Sequence, residues 1–176
     1  MVQIQKIKKT AGDYEGIDFV LKARMGKGLY PSNRNLENLL FDGAAWWATD
    51  GHRLHYYYAN NTDMEPGVYR LISKDKNTVV LDPAPEVNYP DITVLSFWRG
   101  YDPKWNIGIN TKTSKGANLS QSYTKIIRNM EEDETIDFNF LNDLPEDEYT
   151  VYSHGARLPL CFANHNKGAV IMPLKV

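Results

Sequence analysis

Asp50, His52 and His55 are of the residue types that ligate zinc or iron, and they lie within six positions of one another. Strand geometry opposes a shared site. If the chain runs extended from His52, side chains alternate and His52 and His55 face opposite ways. His154 and His165 fall near turns and add no ligand spacing. Among nucleophiles, Cys161, Ser153 and Ser122 lack the glycine-flanked elbow or protease signature that would activate them. Gly26-Lys27-Gly28 has neither the strand-loop-helix context nor the trailing Lys-Ser/Thr of a phosphate-cradling loop. The expectation is a protein that is not an enzyme and uses no cofactor. A metal-dependent enzyme on Asp50, His52 and His55 is the remote alternative.

Composition narrows the class further. The 176 residues are 42% hydrophobic and 24% charged, enough for one domain with a sizeable core. The single cysteine, Cys161, sits between Leu160 and Phe162 and reads as a packed core residue, so no intrachain disulfide is expected and a reducing cytoplasm suits the chain. The first residues carry no apolar signal region, and no stretch approaches the roughly 20 apolar residues of a membrane span. A net charge of −2 gives no global pull toward nucleic acid, yet Arg99 to Arg128 is basic and Glu131 to Glu148 acidic. The aromatic clusters at Trp46-Trp47 and Tyr56-Tyr57-Tyr58 could stack bases, but aromatics in alternating strands are more often core.

The elements that would position these residues fall into two halves. Val2 to Ile7 alternates as a strand, Ile17 to Met25 carries Ile17, Val20, Leu21 and Met25 on one helical face, and Asn35 to Phe41, Ala45 to Thr49 and Leu54 to Ala59 read as antiparallel strands. Asp50-Gly51 is the turn between the last two. Val68 to Ile72 and Thr78 to Leu81 follow, and three prolines between Asp82 and Asp91 mark a connector. In the second half Asn106 to Asn110 reads as a strand. Leu119, Tyr123, Ile126, Ile127 and Met130 form the apolar stripe of a helix capped by Asn118. Ile136, Phe138 and Phe140 alternate as a strand, and Tyr149 to Ser153, Arg157 to Ala163 and Ala169 to Leu174 complete the set. An offset of 104 residues places Thr49 on Ser153 and matches Gly51, Arg53, Leu54, Ala59 and Asn60 with Gly155, Arg157, Leu158, Ala163 and Asn164; a slightly shorter one places 67–71 on 168–172. The chain reads as one domain over residues 1–176, with a first half to about 82, a connector over 83–95 and a second half over 96–176.

With ATDGHRL at 48–54, YPD at 89–91 and VIMPLKV at 170–176, the sequence resembles the bacterial sliding clamp, the β subunit of replicative DNA polymerase III. The resemblance implies an α+β clamp-like domain of two pseudo-repeated strand-helix-three-strand halves, antiparallel sheets with two helices on one face. In that family these three motifs line a pocket for short linear peptides of polymerases and other DNA-handling proteins. Carried over, they imply Thr49, His52, Leu54, Pro90, Leu95, Val170, Met172, Pro173 and Leu174 as peptide-binding positions. The helices of a clamp face DNA, which implies weak, salt-sensitive duplex contacts through Lys22, Gln121, Lys125 and Arg128.

The departures are equally specific. A clamp chain has three domains and two chains close a ring, whereas this chain has the length of one domain. Leu174 and Lys175 stand for the family's Met and Arg, and Gln121 stands where an aromatic is expected. The expected function is a clamp-like peptide-docking or DNA-tethering module, with self-association allowed and no membrane role. A clamp-derived decoy or inhibitor without a DNA role is the alternative.

Overall fold

The computed structural model describes residues 4–9, 12–29, 31–60, 63–92, 103–109, 136–153 and 158–173. The chain divides into two compact units, Met1–Asp91 and Ile92–Val176.

In the first unit the strands are β1 (Gln5–Lys8), β2 (Asn38–Phe41), β3 (Ala45–Thr49), β4 (Arg53–Tyr58), β5 (Gly67–Lys74) and β6 (Thr78–Pro83), with one α-helix, α1 (Tyr14–Lys22). Their order in the sheet is β1-β6-β5-β2-β3-β4, every pair antiparallel. Helix α1 begins three residues before the sequence pattern places it. Asp13 precedes it without capping, because its carboxylate instead accepts hydrogen bonds from the Tyr57 hydroxyl (3.0 Å) and the Asn60 amide (2.8 Å). Ile17 and Val20 are buried as the periodicity requires, and so is Phe19, which that periodicity excludes. Phe19 is accommodated by stacking on His55, with ring centroids 4.3 Å apart. The segment from Asn35 is a 3₁₀ helix over Pro31–Glu37 before it becomes β2, so the strand is shorter than expected. Pro83 ends β6 rather than opening the connector. Strand β1 pairs only with Thr78 to Leu81, so no ladder bond is lost there.

The turns share one device. Asp42, Asp50, Asp75 and Asn164 each open a four-residue turn in which the side-chain oxygen accepts from the amides two and three residues on, at 2.7 to 3.1 Å. In all four the backbone amide of the Asp or Asn also reaches the carbonyl three residues later. Such Asx turns satisfy the amides that the end of a ladder leaves without strand partners. They also shift the expected Asp50-Gly51 turn: Asp50 and Arg53 close it, with Gly51 (φ 91°) and His52 between them.

The aromatic clusters belong to the core. Trp46, Trp47, Tyr56 and Tyr69 are buried, with Trp46 against Phe41 at 4.8 Å and against Tyr69 at 5.3 Å, and Trp47 against Tyr56 at 5.2 Å. The base-stacking reading of Trp46, Trp47 and Tyr56 is therefore set aside.

In the second unit β7 (Pro103–Ile109), β8 (Asp147–Tyr152), β9 (Leu160–Ala163) and β10 (Lys167–Ile171) follow the order β10-β9-β8-β7, again antiparallel. The strand expected over Ile136 to Phe140 is a 3₁₀ helix, Phe138–Asp143. The Asp137 carboxylate accepts the Asn139 amide at 2.9 Å, and Leu141 and Leu144 bury themselves at a spacing of three. Ile136 makes only an isolated bridge to Pro173. Cys161 is fully buried in β9, and burial pushes its thiol well up. The helix expected from Leu119 to Met130 lies outside the described residues.

The two hairpins, β3–β4 and β8–β9, share antiparallel pairing but not the register of the 104-residue offset, which would set Tyr152 opposite Pro159, whereas it pairs with Cys161. Beyond them, β10 pairs with β9 across the tight Asn164 turn, whereas the longer 59–66 connection lets β5 cross to β2. The hairpin β5–β6 thus lies between β1 and β2, while β7 pairs directly with β8.

Candidate functional site

The Thr49, Asp50 and Arg53 side chains of the β3–β4 hairpin are all hydrogen-bonded. The Thr49 hydroxyl donates to the Arg53 carbonyl at 2.7 Å and accepts the Gly51 amide at 3.1 Å. One Asp50 oxygen takes the His52 and Arg53 amides, both at 3.0 Å, and the other meets Arg53 Nε at 3.1 Å. Arg53 then donates to the Lys22 carbonyl at 2.7 Å, which ties the turn to the end of α1. Asp50 and Arg53 are both mostly shielded from solvent, so this ion pair is screened less than a surface pair would be.

The two faces of the hairpin have different neighbours. His55 and Tyr57 face α1, and Thr49 and Leu54, direct cross-strand partners, lie on the opposite face with Trp47 and Tyr56. Thr49 and Leu54 are buried, and His52 at the turn is exposed. Tyr89, the aromatic of the YPD motif, has its hydroxyl buried against the Thr49 backbone without completing a hydrogen bond among the described residues, and burial pushes that hydroxyl up. Two of the three motifs therefore meet within the first unit. Tyr89 was not singled out in the sequence, although the YPD motif contains it. Pro90 is half-buried beside it in the chain.

In the second unit Val170 is buried in β10, Met172 is 37% exposed, and Pro173 is held by the bridge to Ile136. Leu95 and Leu174 lie outside the described residues. So do Gln121, Lys125 and Arg128 of the expected DNA face; Lys22 is exposed in the last turn of α1.

Asp50, His52 and His55 do not converge. The Asp50 carboxylate is occupied by amides and Arg53, His52 is exposed, and His55 is fully buried with Nδ1 2.9 Å from the Phe19 carbonyl. Among the described residues no group of three His, Cys, Asp or Glu side chains could hold a metal ion. Nor is any helix among them long and apolar enough to cross a membrane.

No family model and no curated protein matches the sequence. Solved structures match it over nearly its whole length. The Helicobacter pylori beta clamp bound to a DNA ligase peptide superposes with a TM-score of 0.60 at 11% identity, over 99% of this chain and 66% of that one. The Pseudomonas aeruginosa DNA polymerase sliding clamp gives 0.58 at 11% identity over 98% and 67%, and the Thermotoga maritima DNA polymerase III beta subunit 0.58 at 10% over 100% and 66%. The fold is that of the bacterial sliding clamp. The protein spans about two thirds of the length of the clamps it matches. Within this clamp fold the first unit carries the ATDGHRL hairpin and the YPD motif, and the second carries Val170, Met172 and Pro173.

Proposed function

We propose that the protein is a clamp-like docking module, a single clamp-like domain over residues 1–176, that captures short linear peptides of polymerases or other DNA-handling proteins and tethers them at DNA in the cytoplasm. The observation that carries this reading is the sliding-clamp fold over nearly the whole chain. One of the matching clamps was crystallised with a DNA ligase peptide. His52, Pro90, Met172 and Pro173 are accessible enough to be peptide contacts; Leu95 and Leu174, outside the described residues, complete the proposed set. Thr49, Leu54 and Val170 are buried, and their part is to hold the backbone under those contacts. Lys22, with Gln121, Lys125 and Arg128, would supply the weak duplex contacts, which fade as salt rises.

Burying one Leu or Phe anchor of a peptide stabilises a complex by roughly 1.5 to 3 kcal/mol, so two or three anchors give micromolar affinity after association costs. Fluorescence anisotropy of a labelled polymerase-type clamp-binding peptide measures this. Met172→Asp and His52→Ala, both at exposed positions, are each expected to weaken binding about tenfold with the fold intact. An unchanged affinity in both variants, or no binding at millimolar protein, removes the docking reading.

A further inference from the structure

The first unit carries a half-open groove of about 690 Å³, a cavity that the docking reading does not use. It lies between residues 24–27 and 32–38 on one side and Arg70 and Leu71 of β5 with Val87 and Asn88 on the other, and its volume is in the range of small-molecule pockets, roughly 300 to 1,000 Å³. Four cations line it: Arg24, Lys27, Arg34 and Arg70. Among the described residues the lining holds a single carboxylate, Glu37, which is engaged by the Gly28 amide at 2.7 Å and lies close enough to Arg24 to favour that residue's charge. Arg70 pairs with Glu86. Lys27 and Arg34 have no acidic partner among the described residues, so the cavity is short of two negative charges.

Arg24 is anchored at the wall of this groove. One terminal nitrogen donates to the Glu37 carbonyl at 2.9 Å, but its Nε is buried with no partner among the described residues. Burial pushes this guanidinium below its ordinary range, with Glu37 opposing. The rest of the wall suits an organic body. Leu71 and Val87 are apolar, and Asn35, held by its bond to the Asn88 carbonyl at 3.1 Å, offers an amide oxygen.

The geometry points to a binding site in this cavity for a phosphate-bearing small molecule of nucleotide size. A phosphate supplies the two missing charges, and its oxygens match the fork of an arginine better than a single carboxylate would. A duplex presents its phosphates on a convex surface and cannot fill a concave volume of this kind.

The test is calorimetric titration of the full chain with adenosine diphosphate, with inorganic phosphate and with a short DNA duplex in separate arms. Adenosine diphosphate is expected to saturate below the millimolar range and phosphate to compete with it. Arg34→Ala, which removes a side chain without a partner among the described residues, is expected to weaken the diphosphate about tenfold with the thermal midpoint unchanged. Lys27→Ala is expected to act in the same direction. The site is overturned if the diphosphate fails to saturate at millimolar concentration, if both variants bind as the parent does, or if the duplex binds through Arg34 while both small probes do not. Peptide affinity is expected to be the same in Arg34→Ala, so failure here leaves the docking reading standing, and the reverse.

Discussion

Gly16→Ala is expected to destabilise the protein by about 2 kcal/mol, against the sign that helix propensity alone would give. In an open helix that change is worth about 1 kcal/mol in stability. Here α1 lies so close on β4 that a Cβ at Gly16 would come within 2.4 Å of the Tyr57 ring. The ring cannot swing aside freely. Its hydroxyl donates to Asp13 at 3.0 Å and accepts from Asn60 at 2.8 Å, so moving it breaks both bonds in a buried setting. Urea unfolding should show a lower midpoint at unchanged slope for Gly16→Ala, and almost no change for Glu15→Ala on the exposed side of the same helix. A Gly16→Ala variant as stable as its parent would mean that the helix stands further from the sheet.

The second large effect is expected in acid. The Phe19 carbonyl can only accept, so His55 Nδ1 must carry the proton, which leaves Nε2 as a bare, buried acceptor without a partner among the described residues. Protonation would place a charged donor there with nothing to receive it. Burial accordingly pushes His55 down to about 3, the Phe19 bond opposing and the Arg53 and Lys22 charges adding to the depression. The folded state holds His55 neutral while the unfolded chain takes up a proton near pH 6.5, so its contribution is complete above that pH. It is lost progressively as pH falls from 6.5 toward 3. At about 1.4 kcal/mol per unit, roughly 2 kcal/mol should be gone by pH 5, before most carboxylates titrate. Chemical unfolding between pH 7 and pH 5 should show this slope in the parent and lack it in His55→Leu. Equal slopes would place the histidine in contact with water.

These two contacts also show where the sequence is informative. The turns at Asp42, Asp50 and Asp75 are local devices, since an Asp side chain closes on amides two and three residues away, and the flanking strands β3 and β4 were legible for that reason. The Ile136 to Phe140 stretch misled because a period of two and a period of three cannot be separated over five residues. The spacing of Phe138, Leu141 and Leu144 held the better signal. Phe19 broke the helical stripe because its partner is a histidine 36 residues away, which no local window contains. The hairpin and YPD motifs were legible as a resemblance, but their meeting through Tyr89 and Thr49 depends on how the chain returns past the hairpin. The basic cavity had no signal at all, because Arg70 joins Arg24 and Arg34 only through the pairing of β5 with β2.

Peptide docking is most directly tested by titrating a polymerase-type clamp-binding peptide into isotope-labelled protein and mapping the resonances that move. Shifts concentrated at His52, Pro90 and the 172–174 segment, and abolished in Met172→Asp, are the expected result. Shifts scattered over the surface, or none at millimolar peptide, would mean that this clamp fold does not dock peptides through its hairpin and tail motifs.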